Sequence, residues 1–342
     1  MTEDLKNVLI VKLSAMGDVI HALPVSYAIK ETFPDAHLTW VVEPPSLPLL
    51  QMNPCVDRIL LFKKKDFRTL TGFMREFFPF KHELQEQTFD AVLDLQGLFK
   101  SAAIAFFAKS NIKLGICNMR ELSDKVSKPV VGENAEGHIV ERYLDTARAV
   151  GCVVNRVVFP LQVPVEESER ARAIMEHAGL REGNPFVVFV VGANWANKRW
   201  PTDKFAALGD WFYQMAVVPV LVGNGASDEQ FAREVESKME IPPINLINRT
   251  DIPQLAHVLR SARLIIGGDT GPVHLGAALG VRTIMLMGPT NAARNGPYGQ
   301  LDHAIEVERA CRGCWKRSCP KNEICLEKIP VAFVEDKIAS MS

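Results

Sequence analysis

The feature that most constrains the fold of this chain is a repeated alternation of short β-branched runs with longer amphipathic stretches. Each run leads into a loop rich in glycine, aspartate or serine, and the loop leads into a stretch with helical spacing. Strands that alternate with helices in this way form parallel sheets covered by helices on both faces. The pattern therefore predicts an α/β protein of the doubly wound kind.

The predicted strands occur in both halves of the chain. In the first half they cover residues 8–13, 38–42, 59–62, 91–95 and 114–116. In the second half they cover residues 186–191, 217–222, 264–266 and 283–287. Helical spacing between the second-half strands predicts helices over residues 165–178, 202–213 and 228–239.

A length of 342 residues suits two domains of ordinary size. The seam is expected near residues 154–167, where a proline-containing segment precedes a highly charged helix. We therefore expect a Rossmann-like domain over residues 1–160, a second over 161–328 and a final helix over 329–342. Ligands of such sheets bind beyond the carboxyl ends of the strands. A cleft between the two domains would then gather the loops that carry chemistry.

Composition excludes several classes of protein. The net charge is −1, so the chain lacks the basic field that gives sequence-independent nucleic-acid binding, and no nucleic-acid partner is expected. No apolar run approaches the ~18–20 residues of a membrane-spanning helix. The first residues resemble no secretory signal, so a cytoplasmic location is expected.

The loop after the first strand reads Lys12-Leu-Ser-Ala-Met-Gly-Asp18. Gly17 predicts a tight turn, and Asp18 falls where a helix should start. Asp18 is open to two interpretations. It is either an N-cap that contributes ~1 kcal/mol to helix stability, or a carboxylate that takes a proton from an incoming hydroxyl.

A second informative loop follows the strand at residues 264–266. That strand runs into Gly267 and Gly268, after which Thr270 is a natural N-cap and Pro272 suits the first helical turn. A helix start offers free N–H groups and the positive end of a dipole, which together favour phosphate. His274 lies on the same first turn. The alternative is an ordinary strand–turn–helix with a core histidine.

Two more loops carry charged residues. Lys198 and Arg199 follow the first strand of the second half, where a cation could neutralise a diphosphate or simply be solvated. Gly223 and Gly225 follow the next strand, but Asp228 replaces the third glycine of a dinucleotide fingerprint. The missing glycine argues against the alternative of a different class, a nicotinamide-dependent oxidoreductase. An acidic residue there, Glu229, could instead meet a ribose.

The sequence contains no Asp-x-Asp pair, the usual metal clamp of one large class of sugar-nucleotide enzymes. An enzyme without that clamp must stabilise a departing diphosphate with helix dipoles and cations. The loops described above supply both. We therefore expect no metal and no cofactor. A non-catalytic nucleotide-binding module is a further alternative, which the joint presence of Asp18 and Lys198 disfavours.

These loops together resemble the heptosyltransferases, family 9 of the glycosyltransferases. The resemblance runs from Val8 to about Gly299. It rests on motifs in the expected order: Lys12-Leu-Ser-Ala-Met-Gly-Asp18, Asp94-Leu-Gln-Gly97-Leu-Phe-Lys100, Lys198-Arg-Trp-Pro201, Asp269-Thr-Gly-Pro-Val-His274 and Gly288-Pro-Thr290. It implies the two-domain GT-B fold and inverting transfer of a sugar.

The first motif, with Trp40-Val-Val-Glu43 after it, is most similar to the members that add the first heptose. The implied reaction moves L-glycero-D-manno-heptose from ADP-heptose to Kdo of the lipopolysaccharide inner core (Kdo2-lipid A). Members that add a second or third heptose are the alternative. The resemblance implies a location in the cytoplasm or peripheral on the inner face of the inner membrane, and we expect a monomer.

The resemblance also assigns roles to residues. Asp18 matches the catalytic base. The donor contacts are Ser14, Gly17, Lys198, Glu229, Asp269, Thr270, Gly271 and His274. The basic residues expected to hold the acidic acceptor are Lys100, Arg120 and Arg142. Ala15 stands where the family often has a second serine.

The segment at residues 63–68 is rich in lysine, and large apolar residues follow it: Leu70, Phe73, Met74, Phe77, Phe78 and Phe80. This combination predicts either a helix with a core-facing stripe or a surface that meets anionic lipid.

Four cysteines crowd together near the end of the chain: Cys311, Cys314, Cys319 and Cys325. The first pair has the spacing of a zinc site. Structural zinc, an iron–sulfur cluster, free thiols and a disulfide all remain open.

Overall fold

The computed structural model describes residues 4–64 and 69–341, without the side chains of Leu70, Phe73 and Met74. The chain divides into two compact units, Met1–Gln162 and Val163–Ser342. Each unit contains a six-stranded sheet whose neighbouring strands are all parallel. The predicted doubly wound α/β class is therefore confirmed.

The sheet of the first unit has the order β3-β2-β1-β4-β5-β6. Its strands are β1 (Asn7–Val11), β2 (His37–Val42), β3 (Arg58–Leu61), β4 (Ala91–Asp94), β5 (Ile112–Gly115) and β6 (Lys128–Pro129). In the central strand β1, Val8 pairs with Leu38 on one side and with Ala91 on the other. The central strands are apolar runs because both faces of the sheet are covered.

Five α-helices accompany this sheet among the described residues: α1 (Met16–Thr32), α2 (Leu47–Gln51), α3 (Leu70–Gln85), α4 (Phe99–Phe107) and α5 (Ile139–Arg148). Helix α1 packs against α5, and α3 packs against α4. The indole of Trp40, fully buried, donates its Nε1 proton to the carbonyl oxygen of Lys12 at 3.1 Å. This bond fixes the chain where β1 gives way to the first loop.

The sheet of the second unit has the order β12-β11-β10-β7-β8-β9. Its strands are β7 (Phe186–Val190), β8 (Val218–Val222), β9 (Ile244–Asn245), β10 (Leu264–Gly268), β11 (Thr283–Met287) and β12 (Ala304–Glu306). The central strands β7, β10 and β11 are buried along their whole length.

The helices described in this unit are α6 (Val165–His177), α7 (Thr202–Gln214), α8 (Ala226–Glu236), α9 (Ile252–Ser261), α10 (Gly271–Ala278), α11 (Ala292–Asn295) and α12 (Val331–Ser340). Helix α9 begins with a capping box, in which Asp251 and Gln254 each accept the other's backbone N–H. In the core, the rings of Trp200 and Phe205 meet edge to face at 5.2 Å. The indole of Trp200 also donates to the carbonyl of Ile329, which ties the segment before α12 to the start of α7.

All the strands and helices predicted from the sequence are present within a few residues of the expected bounds. The strands that the sequence did not reveal are β6, β9 and β12. Each has only two or three residues, and each lies at or beside a sheet edge, where partial burial leaves little apolar pattern to detect. Within the described ranges, no helix combines the length and the apolar character needed to cross a membrane.

Candidate active site

Asp18 lies in the first turn of α1, close to the carboxyl end of β1. The helix begins at Met16 with Ala15 as its N-cap, and Asp18 is the third helical residue. Its Oδ2 accepts the backbone N–H of Ala15 at 3.2 Å. The interpretation of Asp18 as the N-cap is therefore wrong. The bond occupies one carboxylate oxygen of a half-buried side chain and leaves Oδ1 available.

Gly17 belongs to the helix as its second residue, so the tight turn predicted there is also wrong. The residues just before the helix, 12–15, belong to neither a strand nor a helix.

A buried cation supports the same loop. Lys12 is 2% exposed, and its Nζ donates to the carbonyl of Leu95 at 3.0 Å and to the hydroxyl of Tyr143 at 2.8 Å. Burial acts to lower the pKa of Lys12, but Tyr143 and the carboxylates of Asp18 and Asp94 outweigh it and raise that pKa. Lys12 thus stays charged inside the unit. Sequence reasoning missed this role, although a lysine between Val11 and Leu13 was a signal.

Gln96 holds the backbone of the first loop. Its Oε1 accepts the N–H groups of Leu13 and Ser14 at 3.1 and 3.2 Å. The fully buried Asp94 accepts the N–H groups of Gln96 and Gly97 through Oδ1. Burial raises the pKa of Asp94 despite these bonds. The motif at residues 94–100 therefore supports the backbone of the motif at residues 12–18 through hydrogen bonds.

Lys100 and Ser14 come together, although the resemblance assigned one to the acceptor and the other to the donor. The Nζ of Lys100 lies 3.2 Å from the Oγ of Ser14 and 2.6 Å from Oε1 of Glu43. Glu43, which the sequence analysis named only as part of a motif and without a role, holds this lysine in place.

The two arginines predicted to hold the acceptor differ in exposure. Arg120 is exposed, and its backbone N–H bonds to the carbonyl of Gly97. Arg142 lies on α5, is 7% exposed and donates from Nε to the carbonyl of Gly137 at 2.9 Å. Arg142 is therefore largely used in fixing the loop before α5.

The second unit contains a buried charge network at the carboxyl end of β10. Asp269 receives the Nζ of Lys198 at 2.6 Å on Oδ2 and the Nε2 of His274 at 2.7 Å on Oδ1. Burial acts to raise the pKa of Asp269, but His274 and Lys198 outweigh it and hold that pKa well below its usual range. Three of the predicted donor residues thus form one network. His274 is buried, as a core histidine would be, but it is paired with a charge.

Lys198 is held on several sides. Its Nζ also donates to the carbonyl oxygen of Asp269 at 3.1 Å and lies 4.5 Å from the centre of the Trp195 ring. A Cβ atom at Gly268 would come within 2.0 Å of the Lys198 carbonyl oxygen. Gly268 therefore permits the close approach of the loop that carries Lys198, and no larger residue fits.

The start of α10 has the geometry of an anion site. Thr270 is the N-cap in extended conformation, as predicted, but its side chain makes no capping hydrogen bond. The buried Oγ1 of Thr270 has no partner among the described residues, and neither has that of Thr290 after β11. Gly271 opens the helix and Pro272 follows. The first N–H groups of the helix and a free hydroxyl can thus meet one ligand.

Glu229 lies in the first turn of α8 and is about half exposed. Its carboxylate contacts Arg233 at 3.1 Å and the amide of Asn248 at 3.5 Å.

The preceding residue, Asp228, is structural. It receives Arg199 at 2.9 Å and the N–H of Asn224 at 3.0 Å. A Cβ at Gly192 would come within 1.9 Å of Asp228. The aspartate at the third-glycine position therefore joins the loops after β7 and β8.

The four clustered cysteines are free thiols, of which Cys325 is buried and Cys311 and Cys314 are exposed. In the described part of the chain, no three cysteine, histidine or carboxylate groups are arranged to hold a metal ion. The N–H groups of Glu323 and Lys321 lower the pKa of the Cys319 thiol.

The cysteine segment packs beside the loop that carries Lys198. The amide of Asn197 donates to the carbonyl of Lys316 at 2.8 Å. The backbone N–H of Trp315 bonds to the carbonyl of Pro289, after β11. The observed contacts therefore give this segment a supporting place in the second unit.

Of the lysine-rich segment at residues 63–68, Lys63 pairs with Glu76 of α3 at 3.3 Å and Lys64 is exposed. Lys65 and the three residues after it lie outside the described residues, as do the side chains of Leu70, Phe73 and Met74.

Comparison with solved structures identifies the fold. A glycosyltransferase family 9 structure from Veillonella parvula matches 100% of this chain and 98% of its own, with a TM-score of 0.86 and 22% identity. The Escherichia coli heptosyltransferase WaaC, solved with ADP-2-deoxy-2-fluoro heptose, matches 98% of this chain and 100% of its own, with a TM-score of 0.73 and 24% identity. The fold is thus that of the GT-B glycosyltransferases.

The sequence identifies the family. The model of glycosyltransferase family 9 (heptosyltransferase) matches residues 77–325. Lipopolysaccharide heptosyltransferase 1 of Pseudomonas aeruginosa is 29% identical over 321 residues, which are 92% of this chain and 87% of that protein. This chain belongs to glycosyltransferase family 9 and is a heptosyltransferase, so the oxidoreductase alternative is excluded.

Proposed function

We propose that this chain transfers L-glycero-D-manno-heptose from ADP-heptose to a Kdo sugar of the lipopolysaccharide inner core. The observation that carries the proposal is the buried network of Lys198, Asp269 and His274 beside the open start of α10. The similarity to the P. aeruginosa enzyme and to WaaC with its ADP-heptose analogue supports this acceptor and this donor.

The donor is held by the second unit. A lysine ammonium has three donors, and Asp269 receives two of those of Lys198, so one N–H remains for an oxygen of the diphosphate or sugar. The N–H groups at Gly271 and the hydroxyl of Thr270 bind the diphosphate, where the helix dipole favours negative charge. The half-exposed carboxylate of Glu229 accepts hydrogen bonds from the ribose hydroxyls.

The resemblance implies that Asp269 contacts the donor directly. Both of its carboxylate oxygens are already paired, one with Lys198 and one with His274. We therefore assign Asp269 to holding Lys198 in place.

The acceptor is held by the first unit. The carboxylate of Asp18 uses Oδ1 to accept the proton of the acceptor hydroxyl, while Oδ2 keeps the bond to Ala15. Lys100, Arg120 and Arg142 attract the acidic groups of the acceptor.

The reaction is one in-line displacement. The acceptor oxygen bonds to the anomeric carbon as its proton passes to Asp18. The bond between that carbon and the diphosphate oxygen breaks, the electron pair leaves with ADP, and the configuration inverts. The positive groups of the second unit stabilise the leaving diphosphate without a metal ion.

The division of labour follows the domain prediction: residues 1–160 bind the acceptor, residues 161–328 bind the donor, and the final helix at 329–342 supports the second unit. We place the enzyme in the cytoplasm, peripheral on the inner face of the inner membrane, as a monomer.

The test uses ADP-heptose with two acceptors, Kdo2-lipid A and the same lipid already carrying one heptose, and detects products by mass spectrometry. Addition of one heptosyl unit to Kdo2-lipid A alone is expected. Addition only to the heptosylated acceptor would assign the enzyme to a later heptose. The Asp18→Asn variant is the control for non-enzymatic transfer.

A further inference from the structure

A continuous row of aromatic rings lies at the surface of the first unit. It links α3 to α4 through edge-to-face contacts, with ring centres 5.6 Å apart for Phe77–Phe78, 5.3 Å for Phe77–Phe107 and 5.3 Å for Phe106–Phe107. The two ends of the row are the most open, because Phe78 is 52% exposed and Phe106 is 64% exposed. Neighbouring rings exposed to water are unfavourable unless a partner covers them.

Helix α4 extends this surface along its own length. Phe99 is 67% exposed and lies seven residues before Phe106, on the same helical face, with Ala103 between them. The polar residues of α4 point elsewhere, since Lys100 contacts Glu43 and Ser101 contacts Asp94. A helix that is apolar nearly all round is normally buried on every side or in contact with lipid. We call Phe77, Phe78, Phe99, Phe106 and Phe107 the aromatic face.

Lysines surround the aromatic face. The Nζ of Lys81 lies 4.9 Å from the centre of the Phe107 ring. The Nζ of Lys113 donates to the carbonyl of Phe106 at 3.2 Å, and that of Lys109 donates to the carbonyl of Gln85 at 2.7 Å. Throughout the described residues, no carboxylate forms an ion pair with any of these three lysines.

The carboxylates of α3 point away from the lysines. Glu76 pairs with Lys63, and Glu83 contacts Arg58 of β3. Both therefore face the β3 side of the helix. The charges of α3 are thus separated, with Glu76 and Glu83 on the side of β3 and Lys81 beside the aromatic rings.

We propose that the aromatic face docks on a bilayer that contains anionic phospholipid. Phenylalanine rings enter the boundary between headgroups and acyl chains, while lysines at their rim reach the phosphates. A protein partner would need to supply an acidic rim around an apolar centre, whereas an anionic bilayer offers both at once. Because Phe99 precedes Lys100, docking would bring the acceptor residues close to the lipid surface. That last consequence rests on the proposed function, whereas the docking does not.

The experiment measures co-sedimentation of the full-length protein with vesicles of phosphatidylcholine, with and without phosphatidylglycerol. The vesicles contain no sugar acceptor, so the result is independent of transferase activity. The variants are Phe78→Ser with Phe106→Ser, and Lys81→Glu with Lys109→Glu. The matched controls are Phe333→Ser, an exposed phenylalanine of α12, and Lys328→Glu, an exposed lysine of the second unit.

We expect the wild-type protein to bind only the anionic vesicles. The lysine pair variant should bind on the order of 10- to 100-fold more weakly, because it replaces two positive charges near the anionic surface with negative ones. The phenylalanine pair variant should lose binding by at least about 10-fold, and both controls should bind like the wild type. Circular dichroism of each variant confirms that it is folded.

A second measurement does not depend on loss of binding. Phe106→Trp and Phe333→Trp are compared in vesicles with brominated acyl chains, and only Phe106→Trp should show added quenching over the wild type. Equal vesicle binding by the wild type and the phenylalanine pair variant would overturn the proposal. So would absence of wild-type binding, or a concentration-dependent dimer that Phe106→Ser disrupts without any vesicle binding.

Discussion

Asp269 holds Lys198 from two directions, through its carboxylate at 2.6 Å and through its own carbonyl oxygen at 3.1 Å. His274 occupies the other carboxylate oxygen. The lysine is therefore fixed before any ligand arrives, and binding the donor need not order it. Preorganised charge of this kind is what a diphosphate leaving group requires.

Replacement of Asp18 by asparagine should abolish most turnover while ADP binding stays nearly unchanged. Asparagine retains an oxygen for the Ala15 N–H but cannot accept the acceptor proton, and a positioned base contributes roughly 10²–10⁴ in rate. Steady-state kinetics and ADP titration calorimetry measure the two effects. Asp35→Asn, an exposed aspartate of the first unit, is the control. Near-normal kcat in Asp18→Asn would remove Asp18 from the role of base.

Lys198→Ala should raise the KM for ADP-heptose and lower kcat more than it lowers stability. The substitution removes the remaining N–H donor and leaves Asp269 paired with His274 only, at a cost of about 1–3 kcal/mol in unfolding free energy. Donor-dependent kinetics and urea unfolding give the two quantities, with Lys328→Ala as the surface control. An unchanged donor dependence would contradict the assignment.

The stability that Asp269 contributes should depend on pH in a defined direction. Its pKa is depressed in the folded protein, so the contribution is fully present above the unfolded value of about 3.9 and decreases as pH falls toward the folded pKa. The difference in unfolding free energy between wild type and Asp269→Asn should therefore shrink from about pH 5 to about pH 3. Urea unfolding at each pH measures it.

Asp336 is an exposed aspartate of α12 and serves as the control. The unfolding free energy of Asp336→Asn should differ little from that of the wild type, and the difference should not change with pH. A wild-type advantage over Asp269→Asn that grows as pH falls would have the wrong sign.

Gly268→Ala should impair activity because a Cβ there would meet the carbonyl oxygen of Lys198 at 2.0 Å. The loop must move to relieve the contact, and Lys198 moves with it. Gly179→Ala is a useful comparison, because that glycine has a φ of +95° and open space, and its replacement costs only the left-handed strain of about 1–2 kcal/mol. Loss of donor affinity in Gly268→Ala but not in Gly179→Ala is expected. Equal donor affinity in both would show that the close approach is unimportant.

Much of the fold could be predicted from the sequence because the central strands are buried on both faces and appear as continuous apolar runs. Strand β11 coincides with its predicted range. Strands β6 and β9 have two residues each, and pairing at the edge of an existing sheet defines them. No local pattern marks such strands.

The candidate site was partly predictable for a related reason. Loops after strands could be located, so Asp18, Lys198 and Asp269 were found. Their partners could not be assigned, because Gln96 reaches the first loop from 82 residues away and Lys198 reaches Asp269 across 71. The position of Asp18 at the third helical residue instead of the N-cap was also missed, because helix ends shift by a residue or two without any change in sequence pattern.

The most direct test of the account follows labelled heptose from ADP-heptose to Kdo2-lipid A with the wild-type protein in the presence of EDTA. We predict that the label passes to the lipid, that one ADP is released per heptose transferred, and that the new glycosidic bond has the inverted configuration. Release of ADP with free heptose and no labelled lipid, or transfer that requires an added divalent metal, would contradict it.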